Sequence, residues 1–432
     1  MEVKPLRQSS VPAGYKQTEV GVIPDDWKAV AIGKAGQVIG GRQRSPNRDG
    51  ELCKYLRVAN VFDGFINTDD ILEMPFLPAE KERFLLKNGD ILLNEGQSLE
   101  LVGRSAIYRD NPENCCFQNT LVRFRAGPDT HPEFTQLVFQ QYLRTGVFAG
   151  IALQTTSIAH LGSGRLATLK MPLPPMPEQR AIAGALSDVD ALMGTLDQLI
   201  AKKRDLKQAA MQQLLTGQTR LPGFHGEWEV KRLGDCLLSR PDYGINAAAV
   251  PFSDKLPSYI RITDISEHGR FCPDPRVSVK AANTDQYFLQ EGEVVFARTG
   301  ASVGKSYLYE PHDGQLVFAG FLIRVHPNPD LLVPAFLAAY ATTKPYWNWV
   351  RLMSMRSGQP GINGNEYAQL PLSLPPLPEQ TAIAEVLSDM DAELAALEQR
   401  RNKTRALKQG MMQELLTGRT RLPLDEGTPC VA

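Results

Sequence analysis

The sequence predicts an α+β protein in which two globular domains are joined by two long antiparallel helices, which form a coiled coil around a pseudo-two-fold axis. Residues 174–222 recur at 375–423 without a gap and are identical at 30 of 49 positions. Short alternating strands fill the stretches before and between the two copies. The chain therefore divides into a first globular domain (1–170), a helical spacer (171–222), a second globular domain (223–372) and a second spacer with a C-terminal tail (373–432).

The repeated segments predict helices several times longer than the average. Pro177 and Pro378 stand in the first turn, where proline is tolerated, and a glutamate follows each at the positive end of the helix dipole. Gly217 and Gly418 then supply C-terminal stops. About 39 residues at about 1.5 Å each give a helix of roughly 58 Å.

Apolar residues at alternating spacings of four and three predict a coiled-coil seam through which the helices pair and partner subunits dock. The seam comprises Ile182, Leu186, Val189, Met193 and Leu196 in the first helix, and Ile383, Leu387, Met390, Leu394 and Leu397 in the second. Basic residues at 202–204 and 400–403 interrupt it and predict a solvated face. The seam then resumes out of phase at Leu206, Met211 and Leu214, and at Leu407, Met412 and Leu415. The alternative is that each helix packs only on its own domain.

The two globular domains look like distant copies of each other. Similar segments include 55–60 and 259–264, 86–93 and 289–296, 103–108 and 304–309, and 121–125 and 322–326. Each pair predicts a strand, and one helical stretch is expected near 133–144 and one near 334–342. The loops differ most, and loops are where recognition residues usually lie.

Composition favours a folded intracellular protein. The 432 residues are 43% hydrophobic with a formal net charge of −1. No run of 18 apolar residues and no apolar leader is present, so we expect a cytoplasmic protein that does not enter the membrane. Six cysteines without CxxC spacing fit a reducing compartment and argue against a zinc ribbon. A near-neutral charge means that any DNA binding depends on local basic loops or on a partner.

Catalytic and metal-binding patterns are missing from the sequence. The segment TGASVGKS at 299–306 resembles a phosphate-binding loop, but Gly300 stands one position too late and a strand is expected after it. The six histidines form no pair with ligand spacing. We therefore predict no catalytic residue, no metal and no cofactor bound by this chain.

The motif PPxPEQxAIAxxLSDxD, a long helix, LKQxxMQxLLTGxTRLP and a second domain opening with GEWEVKRLGD resemble the specificity (S) subunit of type I restriction–modification systems, over residues of about 14–423. The resemblance implies two target-recognition domains that each bind one half of a bipartite double-stranded DNA sequence, with the helices as a ruler. It also implies two methyltransferase (M) subunits that carry S-adenosylmethionine, and restriction (R) subunits that use ATP and Mg. The complex would be a DNA adenine methyltransferase and ATP-dependent endonuclease, with no catalysis by this chain.

Polar residues on glycine-rich loops are the candidate DNA contacts, since Arg can bind guanine and Gln adenine in a bidentate manner. In the first domain they are Arg42, Gln43, Arg44, Asn94, Gln97, Ser98, Arg104, Thr155, Thr156 and Ser157. In the second they are Arg298, Thr299, Ser302, Lys305, Arg356, Ser357 and Gln359. Glu95 stands opposite Arg298 in the comparison of the two domains, so we expect the two loops to recognise different bases.

A second hypothesis is an orphan S-like coiled-coil adaptor, which would hold partner subunits without DNA recognition. The near-neutral charge fits this adaptor. Polar loops in both domains favour DNA recognition instead.

Overall fold

The computed structural model describes residues 11–44, 49–155, 157–355 and 360–423. They fold into two compact units of mixed helix and strand, which confirms the α+β prediction. The first unit comprises Met1–Leu196 with Arg400–Ala432, and the second comprises Asp197–Gln399. Each unit therefore contains one globular part, called its head below, together with the start of one long helix and the end of the other.

The first head is built from short strands around a longer helix of 13 residues. Its strands are β1 (Tyr15–Thr18), β2 (Gly21–Pro24), β3 (Lys28–Ala31), β4 (Gly36–Gly40), β5 (Glu51–Leu56), β6 (Leu72–Phe76), β7 (Ile91–Asn94), β8 (Gly96–Gln97), β9 (Ser105–Ile107), β10 (Cys116–Phe117), β11 (Leu121–Ala126), β12 (Leu153–Gln154), β13 (Ala159–His160) and β14 (Lys170–Leu173). Its helices are α1 (Ile32–Ala35), α2 (Pro78–Phe84), α3 (Pro132–Arg144), α4 (Val147–Ile151) and α5 (Ser163–Thr168). The long helix α6 (Met176–Leu214) follows.

The second head repeats much of this order. Its strands are β15 (Glu229–Arg232), β16 (Asp242–Tyr243), β17 (Ala249–Pro251), β18 (Ser258–Ile260), β19 (Val277–Val279), β20 (Val294–Ala297), β21 (Ser306–Leu308), β22 (Leu316–Phe318), β23 (Leu322–Val325) and β24 (Pro371–Leu374). Its helices are α7 (Pro334–Tyr340), α8 (Lys344–Ser354) and α9 (Gly364–Tyr367), and the long helix α10 (Leu377–Leu415) follows. The predicted helices near 133–144 and 334–342 are thus confirmed as α3 and α7.

The same antiparallel sheet lies at the centre of both heads. Its order is β4-β11-β7-β9 in the first head and β16-β23-β20-β21 in the second. Buried Phe124 and Phe139 meet edge-to-face, with ring centroids 5.6 Å apart, where this sheet packs on α3. A second sheet, β10-β5-β6 or β17-β19-β18-β22, has its own core. The two heads therefore share a strand frame although most of their residues differ.

Two of the predicted strands end earlier than expected. The segments 55–60 and 259–264 leave the sheet after Leu56 and Ile260 and turn into 3-10 helices. Asn60 and Asp264 cause this turn, because each side chain accepts a hydrogen bond from the backbone nitrogen three residues earlier, at 3.0 and 2.8 Å. Such local side-chain bonding competes with strand pairing.

The two long helices have the predicted extents, 39 residues each. Gly217 and Gly418 follow their last turns with φ of +69°, the left-handed conformation that favours glycine at a helix C-terminus. At Gly418 a Cβ atom would also lie 2.5 Å from the Pro24 ring, so a larger residue does not fit there.

Within each unit the two helix portions run antiparallel and are joined by ion pairs. In the first unit Lys408 Nζ lies 2.7 Å from an Asp190 oxygen, and in the second Lys207 lies 2.5 Å from Asp391. These two pairs occupy equivalent positions of the repeat. In the second unit Lys203 also lies 2.7 Å from Glu393. The interpretation of the 202–204 segment as only a solvated face was therefore wrong for Lys203, which bridges the helices.

A buried glutamate in the first turn of each long helix holds the end of the other helix. Glu178, 1% exposed, accepts hydrogen bonds from the Trp27 indole at 2.9 Å and from Arg421 at 2.6 and 2.9 Å. Arg421 also binds Asp26 at 2.8 and 2.9 Å. These bonds raise the pKa of the Arg421 guanidinium further above its already high value. This group, called the Glu178 cluster below, joins the start and the end of the chain.

The second unit repeats the arrangement with Glu379 and Arg220. Glu379 is fully buried and binds Arg220 through both carboxylate oxygens. The next residue of each motif, Gln179 or Gln380, fixes the head to the helix: its side chain accepts from the backbone nitrogen of His131 or Val333, at 2.8 and 2.9 Å. The PEQ and TRLP motifs of the sequence are therefore two halves of one structural contact.

We predict that Arg421→Ala lowers the free energy of unfolding of the first unit by about 3 kcal/mol, because it leaves the Glu178 carboxylate buried with only an indole partner. Urea denaturation of the full chain checks this. Glu178→Gln added to Arg421→Ala should restore part of the loss, since it removes the uncompensated charge. The control is Arg419→Ala, an exposed arginine 3.8 Å from Glu414, which should cost less than about 0.5 kcal/mol. Equal losses at the two arginines would contradict the role of the Glu178 cluster.

Candidate nucleic-acid interface

A small sheet brings four candidates of the first head together. Strand β8 pairs with β13, and β13 pairs with β12, so Gln97 lies beside the hairpin that carries Thr155 and Ser157. Ser98, Thr155 and Ser157 are exposed, and Gln97 is half-buried. Thr155 donates to the Ile158 carbonyl at 3.0 Å, which shapes the hairpin turn. Thr156 lies outside the described residues.

The corresponding loop of the second head starts at Arg298. Thr299 pairs with Gly361 in an antiparallel bridge, and the Ile362 nitrogen donates to the Arg298 carbonyl at 2.9 Å. Half-buried Ser302 and Lys305 follow, and Lys305 lies 2.7 Å from Glu267. The candidates Arg356, Ser357 and Gln359 lie outside the described residues.

Three candidates of the first head contribute to its interior. Arg42 is 5% exposed and binds Glu80 at 2.8 Å. Asn94 is fully buried, and Arg104 is half-buried with its guanidinium 4.6 Å from the centre of the Phe62 ring. Their side chains must move to contact DNA, which makes them weaker candidates than the exposed residues.

Gln43 and Arg44 are exposed and continue from the strand that ends near Arg42. The Asn119 nitrogen donates to the Arg42 carbonyl, and the next residue, Thr120, accepts from the Glu95 nitrogen, both at 2.9 Å. A single turn therefore connects this segment to the loop that starts at Glu95.

The predicted seam residues all lie on buried or half-buried positions of the long helices. Ile182, Leu186, Leu196, Ile383, Leu387 and Leu394 are buried, and Val189, Met193, Met390 and Leu397 are half-buried. Of the residues predicted to resume the seam, Met211, Leu214, Met412 and Leu415 are buried or half-buried. The prediction is wrong for Leu206 and Leu407, whose side chains are 48% and 59% exposed. Whether partner subunits contact the seam stays a prediction.

Sequence reasoning missed two residues beside the candidate loops. Tyr243 supports Arg298, whose guanidinium lies 4.8 Å from the centre of its ring. His160, interpreted from sequence as a surface or packing residue, lies with Nδ1 3.1 Å from Glu95. For Tyr243 the available signal was the match of the following Gly244 with Gly41, since both glycines approach a backbone carbonyl too closely for a Cβ atom.

The false phosphate-binding loop behaves as expected. Residues Gly300–Ser302 form a 3-10 turn, and strand β21 rather than a helix follows Lys305. In the described part of the chain, Glu310, His312 and Asp313 form a group that has the arrangement of possible metal ligands. His312 lies 3.3 Å from Glu310 and 3.6 Å from Asp313, so contacts among the three side chains account for the grouping.

Buried thiols account for three of the cysteines. Burial raises the pKa of Cys115 and Cys116 to about 12, so both stay protonated at neutral pH. Cys53 lies in the same core, and burial raises its pKa as well. These three side chains therefore act as small apolar core residues.

A family model for the type I restriction modification DNA specificity domain matches the chain twice, at residues 24–202 and 225–405. The chain belongs to this family. It is thus a two-domain specificity subunit that recognises DNA sequence, as the resemblance of its motifs predicts. The described helices include none long and apolar enough to cross a membrane.

Relatives match this chain over nearly its whole length. It is 22% identical to the MjaVIII type I restriction enzyme specificity subunit of Methanocaldococcus jannaschii, over 93% of this chain and 94% of that one. It is 22% identical to the EcoKI specificity subunit of Escherichia coli, over 92% and 89%. A solved chain from work on complex assembly and conformational transition of the type I R-M system has a TM-score of 0.58 and 18% identity, over 92% and 99%.

We predict that Arg298→Ala relaxes recognition in only one half of the target. The loss of a bidentate arginine–guanine pair removes about 1–3 kcal/mol of discrimination at one base pair. Methylation rates on a library of single-base variants, measured with the partner subunits present, check this. A uniform loss on every variant would instead identify Arg298 as a phosphate contact, and an unchanged profile would remove it from the interface.

Proposed function

We propose that this chain recognises a bipartite DNA target, one half with each head, inside a complex with two M subunits and with R subunits. S-adenosylmethionine would bind to the M subunits, and ATP and Mg would bind to other partner subunits. The complex would act in the cytoplasm, where the DNA lies. The chain itself supplies no catalytic group. The supporting observation is a shared strand frame that carries different loop chemistry in the two heads, with Arg298 on Tyr243 in one and Glu95 with His160 in the other.

Two equivalent surfaces on the long helices support the binding of two M subunits. Leu206 and Leu407 occupy the same position of the repeat, one in each unit, and both are exposed. Exposed Gln208 and Gln409 lie two residues further along each helix. An apolar side chain that is exposed at the same place in both copies fits a duplicated protein contact.

The near-neutral charge of the chain supports a requirement for partners. The net charge is −1, and Lys203, Lys207 and Arg220 are engaged in ion pairs within the second unit. Phosphate neutralisation by lysine and arginine supplies most of non-specific DNA affinity. We therefore expect weak DNA binding by the isolated chain and strong binding with M subunits.

We predict that Leu206→Asp and Leu407→Asp each remove one M subunit, and that the double variant removes both, because a charge is introduced into an apolar contact. Native mass measurement of the reconstituted complex gives the stoichiometry. Leu238→Asp is the matched control, since Leu238 is 56% exposed but lies on a head, and it should leave two M subunits bound. A wild-type complex that methylates fully with only one M subunit would sink the proposal.

We predict that the helices set the distance between the half-sites. Four residues inserted near Lys202 and four near Lys403 lengthen each helix by about 6 Å. At ~3.4 Å per base pair, the tolerated gap should grow by one or two base pairs. Sequencing of the methylated motif measures the gap, and an unchanged gap would show that the helices are not the ruler.

The same experiments test the adaptor alternative. An orphan adaptor would bind M subunits through Leu206 and Leu407 but would give no sequence-dependent methylation. A complex that assembles normally and methylates a defined bipartite motif therefore excludes it.

A further inference from the structure

We infer that Glu95, oriented by His160, recognises an exocyclic amino group of a base, N4 of cytosine or N6 of adenine, in the half-site bound by the first head. The inference rests on the proposed function and names the chemistry that this head recognises. It concerns two residues outside the set of contacts expected from the sequence.

The backbone places Glu95 and Arg298 at equivalent positions. The Glu95 nitrogen donates to the Thr120 carbonyl at 2.9 Å, and its carbonyl accepts from the Leu161 nitrogen at 2.8 Å. The Arg298 nitrogen likewise donates to the Phe321 carbonyl at 3.0 Å, and its carbonyl accepts from Ile362 at 2.9 Å. Both residues follow the same central strand, β7 or β20. One site of the shared frame thus carries opposite charges in the two heads.

The Glu95 side chain is held in place and partly open to solvent. It is 24% exposed, and its Oε2 lies 3.1 Å from Nδ1 of His160, which is 41% exposed. Within the described residues the other oxygen, Oε1, has no hydrogen-bond partner. A carboxylate with one oxygen fixed and one free is prepared to accept a hydrogen bond from a ligand.

His160 is itself fixed by its strand. Its backbone pairs with Gly96 and Leu153, and Arg165 donates to its carbonyl at 2.7 Å. The ring lies against Gly96, where a Cβ atom would be 3.5 Å from it. His160 is therefore a positioning residue that limits the conformations of the carboxylate, so little ordering is needed on binding.

The charge of Glu95 restricts what it can contact on DNA. A carboxylate is repelled by phosphate and has no donor for guanine O6 or N7. It can accept from the amino groups that cytosine and adenine present in the major groove. In the second head the Arg298 guanidinium has donors only and suits guanine. The two heads therefore differ in hydrogen-bond polarity at the same place.

The test uses the complete complex with M subunits and a library of single-base variants of its motif. Glu95→Ala should reduce discrimination at one base pair of one half by about 5- to 150-fold and leave the other half unchanged. His160→Ala should reduce discrimination at the same base pair, and the double variant should lose no more than Glu95→Ala alone. Glu95→Gln distinguishes the two amino groups. If the native base is cytosine, the variant complex should prefer adenine at that position. If the native base is adenine, the variant complex should keep this preference.

Glu100→Ala is the matched control, because Glu100 is an exposed carboxylate on the same loop and its loss changes the charge equally. Glu100→Ala should leave the discrimination between bases unchanged at every position of the motif. A Glu95→Ala complex that methylates all variants faster by one common factor would show only relief of phosphate repulsion and overturn the inference. An unchanged profile would overturn it as well. A wild-type complex without any bipartite motif would instead reject the proposed function.

Discussion

The structure depends on two equivalent contacts. In each of them, the first turn of one long helix binds the segment that follows the other long helix. Glu178 and Arg421 are 243 residues apart, and Glu379 and Arg220 are 159 apart. Each glutamate is almost fully buried, so its charge is stable only while the arginine binds it. The second unit is one continuous stretch, Asp197–Gln399, whereas the first combines two separate stretches of the chain. Both units use the same glutamate–arginine contact, and its residues belong to the repeated segments rather than to the divergent heads.

The two contacts are not identical, which shows how much variation the frame accepts. Trp27 is fully buried and donates to Glu178, whereas the indole nitrogen of Trp228 is buried without a partner within the described residues. Arg220 instead lies 5.7 Å from the centre of the Trp228 ring. Near the helix the heads differ again: Arg270 lies 3.2 Å from Asp391 in the second unit, while Phe65 and Asp190 line a cleft of about 380 Å³ in the first. The equivalent residues Asp391 and Asp190 thus bind an arginine of the head in one unit and line a cleft in the other.

The sequence was sufficient to predict the long helices, the repeated strands and the absence of a phosphate-binding loop, because periodicity, proline and glycine are local signals. Features that depend on distant partners were not predictable. Lys203 became a bridge because Glu393 faces it, and Leu206 became exposed although it fits an apolar pattern. At the candidate interface, polarity and loop position selected Ser98 and Thr155, which are exposed, but also Arg42, which is buried and bound to Glu80 of another element. His160 escaped detection because nothing local links it to Glu95.

The net charge of the chain is a poor guide to its DNA binding, for a physical reason. A net charge of −1 suggests little affinity for DNA, but it does not say which basic groups are free. Arg220 and Arg421 bind the buried carboxylates of Glu379 and Glu178, so these two charges stabilise the fold. Arg298, in contrast, contacts an aromatic ring and has no ion pair among the described residues. Cations that bind carboxylates of the fold contribute little to phosphate neutralisation, so specificity can rest on individual base contacts while affinity comes from partners.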